Sequence, residues 1–437
     1  MKDSKSDSFN GFWTLPAVKF TNKDFIHYAH NESTTMSIVP CSSRDSAALP
    51  EQLLPSSLQN IEVSTRNYGG RPDAQCLELL QSVGKSSKCN EEEEITKQTL
   101  SKLDRFLMTK WKAASEVGAL NYSVANVLTK ILPGKYCIVA QLNPARAMQR
   151  RKPQSFTKLH EPFNPDLFNF TKIKSSELLF NIHLVLENNE DLSGSIIVNA
   201  APICSTHSLL LPSVQSCLPQ LIDRDGLMLA VSTVLLSSSP SFRVGFNSLC
   251  AYASVNHHHY HCYFLPQHLY VESAACRPVR GRCHVFIDHY APGFVFQVDP
   301  NCLIESVGAA MKLLSWMISA DIPHNVFITR GQSLDDSRGP DVEDAKDDSE
   351  LEACAAATGS AEKTYQVIRI CIWAREASTG AKDVSVFAPA LCELAGHVPI
   401  YNADYWDRIN EEYITKEIHS LCKDAFDFVL ANIESIL

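Results

Sequence analysis

The chain has 437 residues, 45% hydrophobic and 20% charged, enough for two or three domains or for one large domain with extensions. A formal net charge of −10 excludes a nucleic-acid binder that works through overall basicity. No apolar run reaches the ~18 residues of a membrane span, residues 1–11 (MKDSKSDSFNG) lack a secretory signal's apolar stretch, and the fifteen Cys contain no CxxC pair, so we expect reduced thiols and a cytoplasmic protein with neither membrane nor nucleic acid as partner.

Residues 1–95 read as an N-terminal extension, partly disordered. From about Asn31 to Glu94 the chain is rich in Ser, Asn, Pro and Glu and ends in four glutamates, 91–94. Such a stretch has too little apolar surface to offset its ordering entropy. From residue 96 the pattern changes: Leu100, Leu103, Leu107 and Trp111 recur at helical spacing. Strand-like runs follow at 136–142, 178–186, 195–200, 255–265, 283–288, 294–298, 324–330 and 365–374. Helices are predicted near 223–236, with Leu227, Ala230, Val231 and Val234 on one face, and over 302–320 and 407–436. Short gaps between neighbouring strands favour antiparallel pairing. The predicted class is therefore α+β, a mainly antiparallel β-sheet with packed helices. Neither GxGxxG nor GxxxxGK[ST] is present, which removes two phosphate-loop readings.

Between 332 and 362 the chain carries ten carboxylates against Arg338 and Lys346, so −8 of the net −10 lies there. The stretch has no aromatic residue and two strand-like flanks. It is expected to be an acidic disordered loop interrupting a single catalytic domain made of residues 96–331 and 364–437.

His257, His258, His259 and His261 stand within five residues. On a strand through 255–265, alternation sends His257, His259 and His261 to one face and His258, Tyr260 and Cys262 to the other. Three imidazoles on one face fit a partly exposed polar strand, a zinc site, or phosphorus chemistry in which one imidazole attacks a phosphate. Asn247 and Ser254 before the run, and His207 eight residues after Asn199, favour the third.

At this point the sequence resembles a known family. His-x-His-x-His followed by Pro266, with the upstream run IIVNAAPICSTHSLLLP, resembles the histidine triad superfamily of nucleotide hydrolases and transferases. The stretches QLNPARAMQRRKPQ, FNPDLFNFTKI, FRVGFNSL, SVNHHHYH, HNVFITRG and ALCELAGHVP, in that order, are similar to the GDP-D-glucose phosphorylase family of animals. That family is kin to plant GDP-L-galactose phosphorylases and, more distantly, to galactose-1-phosphate uridylyltransferase. Two departures are His258, where relatives usually carry an apolar residue, and the Cys250-Ala251-Tyr252 run.

The resemblance implies a histidine-triad-like fold and phosphorolysis of GDP-glucose by inorganic phosphate through a covalent GMP–histidine. His259 would be the nucleophile. His257 and His261 would orient it and stabilise charge on the phosphate oxygens. Ser254 would contact the α-phosphate, and Asn199 with His207 the ribose. No metal and no cofactor is required for this chemistry. Weaker candidates are Arg150 in its basic cluster, Lys172, His324, Arg330 and His397. A GDP-sugar hydrolase using water is the alternative, and a non-enzymatic regulator acting through the acidic loop a third. Oligomeric state, base and hexose are left open.

Overall fold

The structure, a computed structural model, describes residues 17–21, 24, 26–28, 38–40, 100–125, 127–186, 188–334, 367–378 and 386–437. The stretch expected to be disordered, apart from 38–40, and the acidic loop beyond 334 lie outside the described residues.

Sixteen strands are described: β1 Ala17–Thr21, β2 Ile26–Tyr28, β3 Ile38–Pro40, β4 Leu128–Ile131, β5 Val139–Leu142, β6 Leu178–Val185, β7 Asp191–Val198, β8 Ser208–Pro212, β9 Phe242–Asn247, β10 Tyr260–Phe264, β11 Cys276–Arg280, β12 Cys283–Phe286, β13 Phe294–Val298, β14 His324–Gly331, β15 Val367–Ala374 and β16 His397–Ile400. Eleven of them form one sheet in the order β1-β6-β7-β8-β10-β9-β14-β15-β13-β12-β11. Every neighbour in it is antiparallel except β1, which runs parallel to β6. The supposed N-terminal extension thus supplies the edge strand. β14 and β15 pair from His324↔Ala374 to Gly331↔Val367, so the acidic loop is an insertion into a hairpin. A small sheet, β16-β5-β4, includes a second parallel pair, β16 with β5.

The helices are α1 Lys102–Glu116, α2 Pro144–Gln149, α3 Arg224–Leu236, α4 Leu303–Ser319, α5 Leu391–Ala395 and α6 Glu411–Ala431, with a short α7 Ile433–Ile436. Their starts are chemically marked. The Ser101 hydroxyl accepts from Asp104 N at 3.1 Å, and the Asp223 carboxylate accepts from Gly226 N at 2.7 Å, each satisfying a donor that has no partner inside the helix.

One face of the large sheet is covered by α1, α3 and α4, which pack on β6, on β9 and β14, and on β13. There Phe246, Tyr260, Cys262, Val326 and Ile370 meet Leu227, Val231 and Leu314 in one apolar core. The segment Pro300–Ser319 is long and apolar enough to cross a membrane by length and composition, which the sequence reading did not find. Here it buries Leu303, Val307, Ala310, Leu313, Leu314 and Met317. The opposite face receives α5 on β9 and β14, and α6 on β15. It also holds buried ions. Arg243 on β9 meets Glu272 at 2.6 Å, and Glu272 accepts further from Thr329 Oγ1 at 3.0 Å.

One expectation fails at the histidine run. The strand starts at Tyr260, and residues 255–259 are irregular. Their backbone pairs with loop groups instead: His258 N donates to Leu218 O at 2.9 Å, and His259 N to Gln220 Oε1 at 2.8 Å. Only His261 is on the strand, opposite Leu209 and Gly245.

Candidate active site

A pocket opens where β7, β8, β9 and the start of β10 meet α2 and α5. Asn199, His207, Asn247, Ser254, His259 and His261 all line it, so six of the seven strongest sequence candidates converge. The seventh, His257, does not line it. Its Nδ1 accepts from Phe170 N at 3.1 Å, and its Nε2 donates to Val214 O at 3.0 Å. With both ring nitrogens held by backbone, His257 cannot stabilise phosphate oxygens; that part of the expectation is corrected. Burial lowers its pKa to about 4, so the ring is neutral near pH 7.

His257 acts instead through its carbonyl, which accepts from His259 Nδ1 at 2.8 Å. A carbonyl can only accept, so Nδ1 of His259 carries the proton and Nε2 keeps its lone pair. Gln220 clamps the same residue: its Oε1 accepts from His259 N, and its Nε2 donates to His259 O at 3.0 Å and to Asn247 O at 2.9 Å. Gln220 is fully buried and was not singled out in the sequence, because nothing in its loop spacing marks it.

A second tautomer chain starts at Ile203, whose N–H donates to His207 Nδ1 at 3.0 Å. The His207 proton therefore sits on Nε2, which donates to His261 Nδ1 at 3.0 Å. His261 is left with its proton on Nε2. Burial, then repulsion from His261 and Arg146, holds the His207 pKa well below the usual histidine value. Asn199 Oδ1 accepts from Ala201 N at 3.1 Å. Its Nδ2 is 3.4 Å from the already protonated His207 Nε2, so the amide protons remain for a ligand. Asn247 Oδ1 accepts from Asn325 Nδ2 at 2.6 Å and from Leu391 N at 3.0 Å, which ties α5 to the pocket and leaves the Asn247 NH₂ as its donor.

Among the described residues no group of three or more His, Cys, Asp or Glu is arranged to hold a metal ion.

His258 faces the helices, as alternation predicted. It is fully buried against Phe246 and Tyr260, and burial lowers its pKa to about 3. The weaker candidates divide. Arg150 lines the pocket. Lys172 Nζ donates to the carbonyls of Asp166 and Leu167 at 3.1 and 2.8 Å, bracing the turn that carries Phe168 and Phe170. His324 stacks on Phe246 in the core. Arg330 donates to Ser237 O at 2.8 Å, at the end of α3. His397 meets Gln141 Oε1 at 2.7 Å. None of these last four lines the pocket. Residues that do, and that the sequence reading did not single out, include Arg146, Phe168, Phe170, Glu393 and Tyr401. Only Arg146 had a local signal, its i, i+4 spacing to Arg150.

The GDPGP1-like N-terminal domain family model matches residues 102–263. GDP-D-glucose phosphorylase 1 of Xenopus laevis is 34% identical over 365 residues, 75% of this chain and 86% of that protein. The Homo sapiens protein of the same name is 36% identical over 322 residues, 71% and 77% of the two chains. GDP-L-galactose phosphorylase 2 of Arabidopsis thaliana is 34% identical over 216 residues, 46% of this chain and 48% of that protein.

Proposed function

The chain belongs to the GDP-D-glucose phosphorylase family, and we propose that it catalyses phosphorolysis of GDP-glucose to GDP and glucose 1-phosphate by double displacement at His259. The observation that carries this reading is the His259 ring itself, lining the pocket with its Nδ1 held by a carbonyl, which puts the proton on Nδ1 and the lone pair on Nε2.

Nε2 attacks the α-phosphorus. The bond from that phosphorus to the bridging oxygen breaks, its electron pair leaves with glucose 1-phosphate, and GMP stays on His259. Inorganic phosphate then attacks the same phosphorus and the N–P bond returns its electrons to the ring. The phosphate gives up its proton as the anhydride of GDP forms. His261 Nε2–H and Ser254 donate to the charge that develops on the phosphoryl oxygens. Asn199 Nδ2 holds the ribose. The leaving phosphate ester is weakly basic, so neither a metal nor a cofactor is needed. On this reading the fold is histidine-triad-like, one catalytic domain with an acidic insertion, and the protein is cytoplasmic.

The test is self-labelling. With GDP-glucose and no phosphate, the protein is expected to accumulate an acid-labile, base-stable GMP adduct on His259 and to release one equivalent of glucose 1-phosphate. Added phosphate should discharge it as GDP. Steady release of GMP, unaffected by phosphate, would make the protein a hydrolase instead.

A further inference from the structure

Arg146 and Arg150 stand one helical turn apart and both line the pocket. Their neighbour Arg151 has a carboxylate partner, Glu177, at 2.9 Å. Arg146 and Arg150 have none among the described residues. Arg146 donates through Nη1 to the Ala201 carbonyl and lies by the Tyr122 and Tyr401 hydroxyls, while its Nε is buried with no hydrogen-bond partner among the described residues. The Arg150 guanidinium sits 5.9 Å from the centre of the Tyr401 ring. The one acid among the described residues of the lining, Glu393, is itself buried, and burial raises its pKa to about 8, which weakens it as a compensating charge. Two like charges one turn apart repel, and in a partly buried pocket each also loses hydration. An anion would relieve both penalties.

The reaction supplies one. His259 must enter and leave on one side of the α-phosphorus, so the departing glucose 1-phosphate and the attacking phosphate must both occupy the opposite side. One seat then has to accept a phosphate group twice per turnover. Two guanidinium forks match the tetrahedral oxygens of a phosphate dianion. Resting on the phosphorylase reading above, we propose that Arg146 and Arg150 form this shared phosphate seat, taking first the β-phosphate of the nucleotide sugar and then inorganic phosphate.

The experiment compares wild type with Arg150→Gln and Arg146→Gln in the two half-reactions. Arg150→Gln is expected to raise KM for phosphate at least tenfold and to slow discharge of the GMP adduct by phosphate. Arg150→Lys should recover part of the loss. Phosphate binding is also read without turnover: inorganic phosphate should raise the Tm of the wild-type protein, and that of Arg150→Gln much less. If Arg146→Gln does not fold, because Arg146 braces the Ala201 carbonyl, Arg150→Gln decides. Unchanged phosphate KM and an unchanged phosphate-induced Tm shift in folded Arg150→Gln would overturn the seat. A wild type that forms no adduct would overturn the phosphorylase reading, and the Tm arm would still judge the seat.

Discussion

The two faces of the large sheet treat the same histidine run in opposite ways. Toward the helices, His258 joins Tyr260, Cys262 and Phe264 against an apolar core. Neither of its ring nitrogens has a hydrogen-bond partner among the described residues, and the Asp223 carboxylate lies 3.8 Å from Nδ1. Toward the pocket, His259 is almost as buried, yet its Nδ1 is satisfied by a carbonyl 2.8 Å away. Adjacent residues of one type thus become a packing element and a candidate nucleophile. Burial does not separate them. What separates them is whether one nitrogen is satisfied so that the other can react.

Chemistry should be lost on the pocket face alone. His259→Ala is expected to reduce kcat by roughly 10³-fold or more, since no other imidazole takes its place. His258→Leu, isolated from the pocket and of similar size, should keep turnover within a few-fold. Steady-state kinetics on both variants checks this, and the reverse ranking would break the comparison.

The pocket face depends on charge. Glu272→Gln leaves the Arg243 guanidinium buried without its counter-ion, which should destabilise the protein by about 3–5 kcal/mol in urea unfolding. The helix face depends on volume. A Cβ on Gly226 would lie 2.4 Å from His258 Cε1, so Gly226→Ala should cost ~1–3 kcal/mol. Most of that cost should vanish when His258→Ala is added, as a double-mutant cycle would measure.

Acid should act through the helix face as well. The folded-state pKa values of His258 and His324, about 3 and about 4, lie below the usual 6.5. Between those limits the unfolded chain binds protons that the folded chain does not. Stability is therefore fully present above pH 6.5 and falls as pH drops toward 3. Each ring steepens the fall by up to ~1.4 kcal/mol per pH unit. His258→Leu should flatten the curve between pH 4 and 6 by that amount in denaturant titrations.

The smallest effect is expected far from both faces. Replacing 335–361 with a short Gly/Ser linker should leave turnover within a few-fold, because the β14–β15 ladder closes at Gly331↔Val367 and loop closure changes by only ~0.6 kcal/mol per doubling of length. A large loss in a folded variant would favour the regulator reading.

Much of this was legible from local pattern. Apolar runs with short gaps implied the antiparallel sheet, and β13 matches its expected bounds. Alternation around 258–262 was right in direction, and the Asn199–His207 spacing brought both residues to one pocket. β1 and β16 escaped because each pairs in parallel with a strand remote in sequence, β6 and β5, and no gap length announces such a partner.

The sequence by itself determined the mainly antiparallel α+β character, strands such as β6, β13 and β14 and the helix α3, and the set of residues that are candidates to react, because periodicity and spacing are properties of neighbours in the chain. Only the tertiary structure decided which nitrogens are spent. His257 lost its expected part in charge stabilisation to Phe170 and Val214, 87 and 43 residues away, and His259 is clamped by Gln220, 39 residues away. Arg146 joins the pocket because the Ala201 carbonyl receives it. Hydrogen-bond partners of this kind come from distant segments brought together by packing, and a local pattern carries no record of them.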